Sequence, residues 1–327
     1  MRYLDFEQPL ATLEEEIEKL RKKADETGDE NLLKRVKELE RNLEELRKEI
    51  FSNLTRWQKV QLARHPDRPY PLDIIQRICD DFIDLHGDRL FGDDKAIVAG
   101  LGKIENYGVV IVGIQKGRET EEKIKRNFGM AHPEGYRKAI RMFSLADKLG
   151  LPVLTLVDTP GAYPGIGAEE RGQFSAIAYS IKKMLEIRVP TISIITGEGG
   201  SGGALAIAAA DRVYMLEYAI YSVISPEGAA SILFRDASKN KEAAEILKLT
   251  ADDLLKFGII DGIIKEPLGG AHRDYDETAR RIKITFLKAF RELRRKGKGA
   301  LLRERYKKYR KMGAWGFVGE NFSHAEE

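Results

Sequence analysis

The segment TISIITGEGGSGGALA, residues 191–206, decides the fold. Residues 191–196 are a short, largely β-branched run bounded by glycine, the pattern of a buried strand. Residues 197–203 are glycine or serine except for Glu198, and the alanine-rich run from Gly203 reads as a helix. Glycine lacks a Cβ, so backbone N–H groups in such a turn reach a ligand directly. The helix start adds unpaired N–H donors and partial positive charge. This predicts an anion or oxyanion site built from main-chain donors. Close packing of helix against strand is the structural alternative.

Three known patterns overlap on the same turn. Gly197, Gly199 and Gly202 spell G-x-G-x-x-G, with Glu217 twenty residues after Gly197, as in a dinucleotide site. That match lies mid-chain, and strand–helix alternation stops after Tyr221. Gly199, Ser201 and Gly203 satisfy G-x-S-x-G, with Asp261 and His272 following in hydrolase order. A serine among glycines meets that pattern easily. The phosphate-loop pattern fails, because no Lys-Ser/Thr pair follows. A fourth reading adds DTPGAYPG, residues 158–165, at the end of the preceding strand. Two glycine-bearing turns on successive parallel strands face one cleft at the carboxyl edge of a sheet. Such a cleft suits a reaction that develops an enolate or similar oxyanion.

Outward from these turns the chain alternates. Residues 96–105 and 107–114 read as a hairpin bent at Glu105-Asn106, followed by a charged loop (115–130), a helix (134–149) and a strand (152–157). A helix (169–187) leads into the glycine segment. Beyond it come short strands (213–216, 221–224), helices (227–234, 241–248, 252–257) and a last strand (259–264). The alternation predicts an α/β protein with right-handed crossovers and a parallel sheet. Upstream, Thr12 to Glu15 reads as a capping box. Leu10, Leu13, Ile17 and Leu20, then Leu32, Val36, Leu39, Leu43, Leu46 and Ile50, form narrow apolar seams of an antiparallel helical hairpin, scaffolding or a partner arm. The prolines of residues 65–71 read as a linker opposing helix, with a short helix at 72–85. The expected division is a hairpin and linker (1–65), a core (66–270) and a basic helical extension (271–327).

Composition narrows the class. The 327 residues include 43% apolar side chains, 55 Lys+Arg and 52 Asp+Glu, for a net charge of +3. The balance is uneven: residues 276–311 hold 15 Lys/Arg and 4 Asp/Glu. That extension reads as a dock for an acidic partner or nucleic acid, or as a solvated face. Cys79 is the only cysteine, so neither an intrachain disulfide nor a cysteine-rich zinc site is expected. The five histidines, His65, His86, His132, His272 and His324, show no metal-ligand spacing. No signal peptide and no apolar run of about 18 residues is read, which predicts a cytoplasmic protein.

Longer strings carry a resemblance. DTPGAYPGIGAEERGQ (158–173), GEGGSGGALAIAAADRVYMLEYAIYSVISPEGAASIL (197–233), QKGRETEEKIKRNFGMAHPEGYRKA (115–139), LARHPDRPYPLD (62–73), EPLGGAHR (266–273) and LDFEQPL (4–10) resemble the carboxyltransferase alpha subunits of bacterial acetyl-CoA carboxylase. The resemblance implies a crotonase-like spiral fold and a separate beta subunit that shares the active site and carries the family's zinc ribbon. The implied reaction moves a carboxyl group from carboxybiotin, on the biotin carboxyl carrier protein served by biotin carboxylase, to acetyl-CoA. The product is malonyl-CoA for fatty acid synthesis, and an α2β2 assembly is implied.

In the family the amides matching Gly202 and Gly203 hold the biotin oxyanion, and the beta subunit serves the thioester. Gly161, Ala162, Tyr163, Gly199 and Gly200 are expected to line the substrate site. Apart from the resemblance, the charged run 116–126 reads either as a contact for CoA phosphates through Arg118 and Arg126 or as a solvated loop. The biotin anion takes the methyl proton itself, so no side-chain base and no metal on this chain are needed. Glu198, Glu169 and Glu170 remain polar neighbours that orient loops or pair with Arg171. The alternatives are another crotonase-fold acyl-CoA enzyme, such as a hydratase needing two carboxylates on the glycine turns, or a binding subunit acting through its basic helix.

Overall fold

The Val- and Ile-rich runs pair into one eight-stranded mixed sheet in a computed structural model, which describes residues 2–313. Its strands are β1 (Asp81–Asp84), β2 (Ile97–Ile104), β3 (Tyr107–Ile114), β4 (Val153–Thr159), β5 (Thr191–Gly200), β6 (Arg212–Leu216), β7 (Ile220–Ser222) and β8 (Gly262–Ile264). The order is β1-β2-β3-β4-β5-β6-β8, with β7 also on β5. The β1–β2 and β2–β3 pairs are antiparallel and the rest parallel. The expected β2–β3 hairpin forms, with Glu105 at its bend at a φ of 53°.

Strand β5 organises the molecule. Its first half lies between β4 and β6, pairing Ile192 with both Leu154 and Arg212. At the glycines it leaves β6 and pairs with β7, Gly199 opposite Tyr221. This change of partner winds the chain into a spiral. The expected glycine loop is therefore strand as far as Gly200, and only the corner at Ser201 turns.

The helices, in chain order, are α1 (Gln8–Thr27), α2 (Glu30–Ser52), α3 (Arg56–Ala63), α4 (Pro71–Ile78), α5 (Thr120–Lys125), α6 (Pro133–Leu149) and α7 (Ile166–Glu170). They continue with α8 (Gln173–Glu186), α9 (Ser201–Ala208), α10 (Pro226–Phe234), α11 (Asn240–Leu247), α12 (Ala251–Lys256), α13 (Tyr275–Leu293) and α14 (Lys298–Arg310). Val110, Ile111, Leu154, Leu156, Ile192 and Ile194 form the dry centre of the sheet, covered by Tyr136, Met142 and Phe143 of α6 and by Phe286 and Phe290 of α13.

Several local readings change. Thr12 lies inside α1, where its hydroxyl donates to the Gln8 carbonyl; the helix entry is held instead by Glu7, which accepts the Leu4 N–H at 2.9 Å. Pro71 starts α4 rather than opposing it, since proline suits the first helical turn, and the expected helix at 72–85 ends at Ile78, before β1. The charged loop contains α5. The helix expected over 169–187 breaks at Gly172, whose φ is 80°.

The helical hairpin forms as α1 and α2, closed on Ile17, Val36 and Leu39. Its base packs Leu10 and Phe51 against Leu62 and Tyr218. The basic extension is more buried than its charge suggests. Helix α13 buries Ile282, Phe286 and Leu293, and Arg305 of α14 is 1% exposed. Arg305 donates to Asp211 and to the carbonyls of Met184, Ile187 and Val189, closing the end of α8. The extension from residue 314, including His324, lies outside the described residues.

Candidate active site

Strands β4 and β5 end side by side, and a register shift after Val157 sets Thr159 opposite Gly199. Thr159 Oγ1 accepts the Gly161 N–H at 3.0 Å and fixes the turn that follows. The two turns then touch through backbone. A Cβ at Gly200 would lie 2.1 Å from the Pro160 carbonyl oxygen, and one at Gly203 would lie 2.6 Å from the Ala162 nitrogen. Only glycine admits this approach. Gly202 differs: its Cβ would meet Ile177 at an ordinary 3.5 Å.

Ser201 makes the strand-to-helix corner at a φ of 52°, a conformation that L-residues adopt only under constraint. Gly202 and Gly203 are the second and third residues of α9, so their N–H groups have no partner within the helix. Among the described residues no other acceptor takes them. Gly202 lines a groove of about 420 Å³ together with Ser201, Leu205, Tyr221, Val223 and Phe257. Two free amides thus sit at a helix start; Gly202 opens on the apolar groove, and Gly203 is buried against the Gly161–Ala162 backbone.

A charged network lies behind the turns. The Asp158 carboxylate fills the place of a Gly197 side chain, 2.5 Å from where its Cβ would be. Its Oδ1 accepts the Glu198 N–H at 2.9 Å and pairs with Lys116 Nζ at 2.8 Å. Lys116 also reaches Glu198 at 2.7 Å. The other oxygen of Glu198 takes Arg64 at 2.7 Å, and Arg64 continues to Glu227. Burial alone would raise the Glu198 pKa, but Lys116 and Arg64 overcome it and hold the carboxyl down to about 2. Burial raises that of Asp158, against the pull of Lys116. Glu198 therefore stays ionised with both oxygens engaged, a poor proton acceptor. The hydratase alternative loses the one carboxylate it had on these turns.

The family described as acetyl co-enzyme A carboxylase carboxyltransferase-like matches residues 3–313. The chain belongs to the acetyl-CoA carboxylase carboxyltransferase family. It is 54% identical over 310 residues to the acetyl-coenzyme A carboxylase carboxyl transferase subunit alpha of Geobacter metallireducens, covering 94% of this chain and 96% of that one. It is 55% identical over 312 residues to the subunit of the same name from Thermus thermophilus, covering 95% and 98%. Among solved structures, transcarboxylase 12S matches at a TM-score of 0.57 and 23% identity, over 70% of this chain and 42% of that one. A Pseudomonas malonate decarboxylase hetero-tetramer in complex with coenzyme A matches at 0.58 and 16%, over 72% and 91%. These distant likenesses show the fold, and the expected crotonase-like architecture holds.

In this carboxyltransferase fold the expected site residues fall into two groups. Gly161, Ala162, Gly199, Gly200, Gly202 and Gly203 meet at the paired turns. Tyr163 stands beside them, its ring stacked on His132 at 4.1 Å and its N–H bonded to Ala131. Arg118 and Arg126 have internal partners instead. Arg118 pairs with Asp73 and lies 4.6 Å over the Tyr70 ring, while Arg126 pairs with Glu122 and the Lys95 carbonyl. Arg171 pairs with Glu134 at 2.6 Å rather than with Glu169 or Glu170.

The hydrolase pattern does not assemble. Asp261 accepts the Val213 N–H and pairs with Lys308, and His272 stacks on His65 at 4.0 Å. Ser201→Ala is accordingly expected to keep at least about half of wild-type activity, since among the described residues no base faces the hydroxyl; stoichiometric labelling of Ser201 by a fluorophosphonate would contradict this. Glu7, His65 and His272 bring potential metal ligands within 4.8 Å of one another. The two imidazole planes lie only 17° from parallel, and ring lone pairs point within their own planes. Stacked rings cannot aim at one ion, so the cluster does not have the shape of a metal site. Sequence reasoning includes Lys116 and Arg64 in the matched strings, with Lys116 opening the charged run, but misses their pairing with Asp158 and Glu198, which no local pattern signals.

Proposed function

We propose that this chain is the alpha half of a two-subunit carboxyltransferase that moves a carboxyl group from carboxybiotin to acetyl-CoA, forming malonyl-CoA. The observation that carries the reading is the pair of free amides at Gly202 and Gly203, where two turns meet without side chains between them. As the carboxyl group leaves biotin, negative charge develops on the ureido oxygen. Fixed N–H donors at a helix start stabilise such charge without reorganising. The ureido anion then takes a methyl proton from the thioester, and the resulting enolate attacks the released CO2. No protein base is consumed, in keeping with a Glu198 that stays ionised.

The remaining half of the chemistry falls to a beta subunit, which holds the thioester and its CoA. The carrier protein delivers carboxybiotin, biotin carboxylase recharges it, and an α2β2 assembly in the cytoplasm supplies fatty acid synthesis. Among the described residues no helix is long and apolar enough to cross a membrane. The groove beside Gly202 is apolar, as the hydrocarbon arm of biotin requires. Arg118 and Arg126 contribute to CoA binding only if a phosphate displaces their carboxylate partners.

The test is reconstitution. The purified chain alone is expected not to decarboxylate malonyl-CoA with free biotin as acceptor, and adding the beta subunit is expected to start turnover. Full turnover by the isolated chain would overturn the divided site.

A further inference from the structure

Three successive strands, β3, β4 and β5, send their carboxyl ends to one place, and one ammonium group joins them. Lys116 stands two residues beyond β3, and its Nζ lies 2.8 Å from Asp158 of β4 and 2.7 Å from Glu198 of β5. Its stem is packed in as well, for a Cβ at Gly129 would lie 2.8 Å from Lys116 Cγ. Asp158 immediately precedes the Thr159–Gly161 turn, and Glu198 precedes the Gly199–Gly203 turn. The distance between these carboxylates is therefore a lever on the separation of the two turns. We propose that Lys116 is a positioning residue for carboxyl transfer, whose ammonium ties β4 to β5 and so sets the spacing of the turns around the Gly202 and Gly203 amides. The proposal rests on the oxyanion reading of those amides.

Two carboxylates that share one cation repel each other once it is removed, and the pair then takes up a proton more readily as the pH falls. Asp158 is 1% exposed and cannot turn to solvent. The other groups facing the cluster are Tyr70 and Arg118 on one side and Arg64, with Glu227 behind it, on the other. Burial raises the Tyr70 pKa, the pairings raise those of Arg64 and Arg118 against burial, and Arg64 lowers that of Glu227 against burial. None of them changes charge between pH 6 and about pH 8.

The experiment uses the assembled enzyme with carboxylated carrier protein and acetyl-CoA. Lys116→Met keeps most of the stem and removes the charge. At pH 8 its kcat is expected to fall about 30-fold or more, while KM for acetyl-CoA changes less than about twofold. Relative to wild type, the rate is expected to recover about tenfold as the pH is lowered to 6, because a proton taken up by the carboxylate pair replaces the missing charge. A merely structural lysine would not give this inverted profile. The double variant Lys116→Met/Asp158→Asn lacks the repulsion and keeps an acceptor for the Glu198 N–H. It is expected to recover most of the rate at pH 8, and it carries the test if the single variant fails to assemble.

A Lys116→Met enzyme with wild-type kcat at pH 8, a loss independent of pH, or a double variant as slow as the single would each overturn the proposal. Gly202→Pro assayed alongside separates the two levels. If that variant stays fast, the oxyanion reading fails, whatever Lys116 does.

Discussion

Replacing Gly202 by proline in the assembled enzyme is expected to lower kcat with the carboxylated carrier by about 10²–10³-fold, the cost of one lost oxyanion donor, roughly 3–4 kcal/mol. Proline removes an N–H that has no internal partner at the second position of α9; because its ring also crowds Ser201, held at a φ of 52°, the variant's assembly is checked before its rate. KM for acetyl-CoA is expected to stay near wild type, since the proposed division of the site gives the thioester to the other subunit. Gly202→Ala is the control. Its Cβ meets Ile177 at 3.5 Å and its N–H is intact, so it is expected to lose less than about tenfold. Gly203 does not offer such a control: even alanine there would drive a Cβ to 2.6 Å from the Ala162 nitrogen and part the two turns. A Gly202→Pro enzyme that assembles and keeps wild-type kcat would remove this amide from the mechanism.

Arg68→Met is expected to cost about 3–5 kcal/mol of stability, because it strands a buried carboxylate. Arg68 and Glu266 are both 0% exposed at the side chain and joined by two hydrogen bonds, of 2.5 and 3.0 Å. Arg68 Nε also holds the Thr196 carbonyl at 2.6 Å, and Glu266 accepts the Tyr218 and Ala271 N–H groups. One ion pair thus pins the 65–71 segment to β5 just before the glycines, and to the segments around Tyr218 and Ala271. The measurement is thermal unfolding of the chain. Arg68→Met/Glu266→Leu is expected to recover part of the loss, since no unpaired charge remains, although the Tyr218 and Ala271 N–H groups lose their acceptor. Equal melting of wild type and Arg68→Met would show that the pair contributes nothing.

The Arg68 case shows why the linker reading was incomplete. Prolines at 66, 69 and 71 say correctly that residues 65–70 are not helical, but backbone preference is silent on where a side chain ends up. Arg68 meets Glu266 across 198 positions of chain, a distance that no local pattern spans. The same holds for Arg305, which charge counting places on a solvated basic face and which the fold buries against Asp211.

The glycine segment alone established a strand, a turn with exposed amides and a helix, because those follow from period, Cβ absence and helix-end chemistry within sixteen residues. The alternation around it established the crossover sheet, and the long matched strings established the family. Local reading treats Gly202 and Gly203 alike, and it discounts Ser201 as a nucleophile only because a serine among glycines meets the pattern so easily. Only the tertiary structure separated them. The β4 turn presses its backbone on Gly203 and not on Gly202, Asp261 and His272 are drawn to other partners, and Lys116 closes a triangle between strand ends 40 residues apart. Those outcomes depend on which strands lie side by side. Side-by-side placement is a property of the whole sheet's burial and register, not of any segment within it.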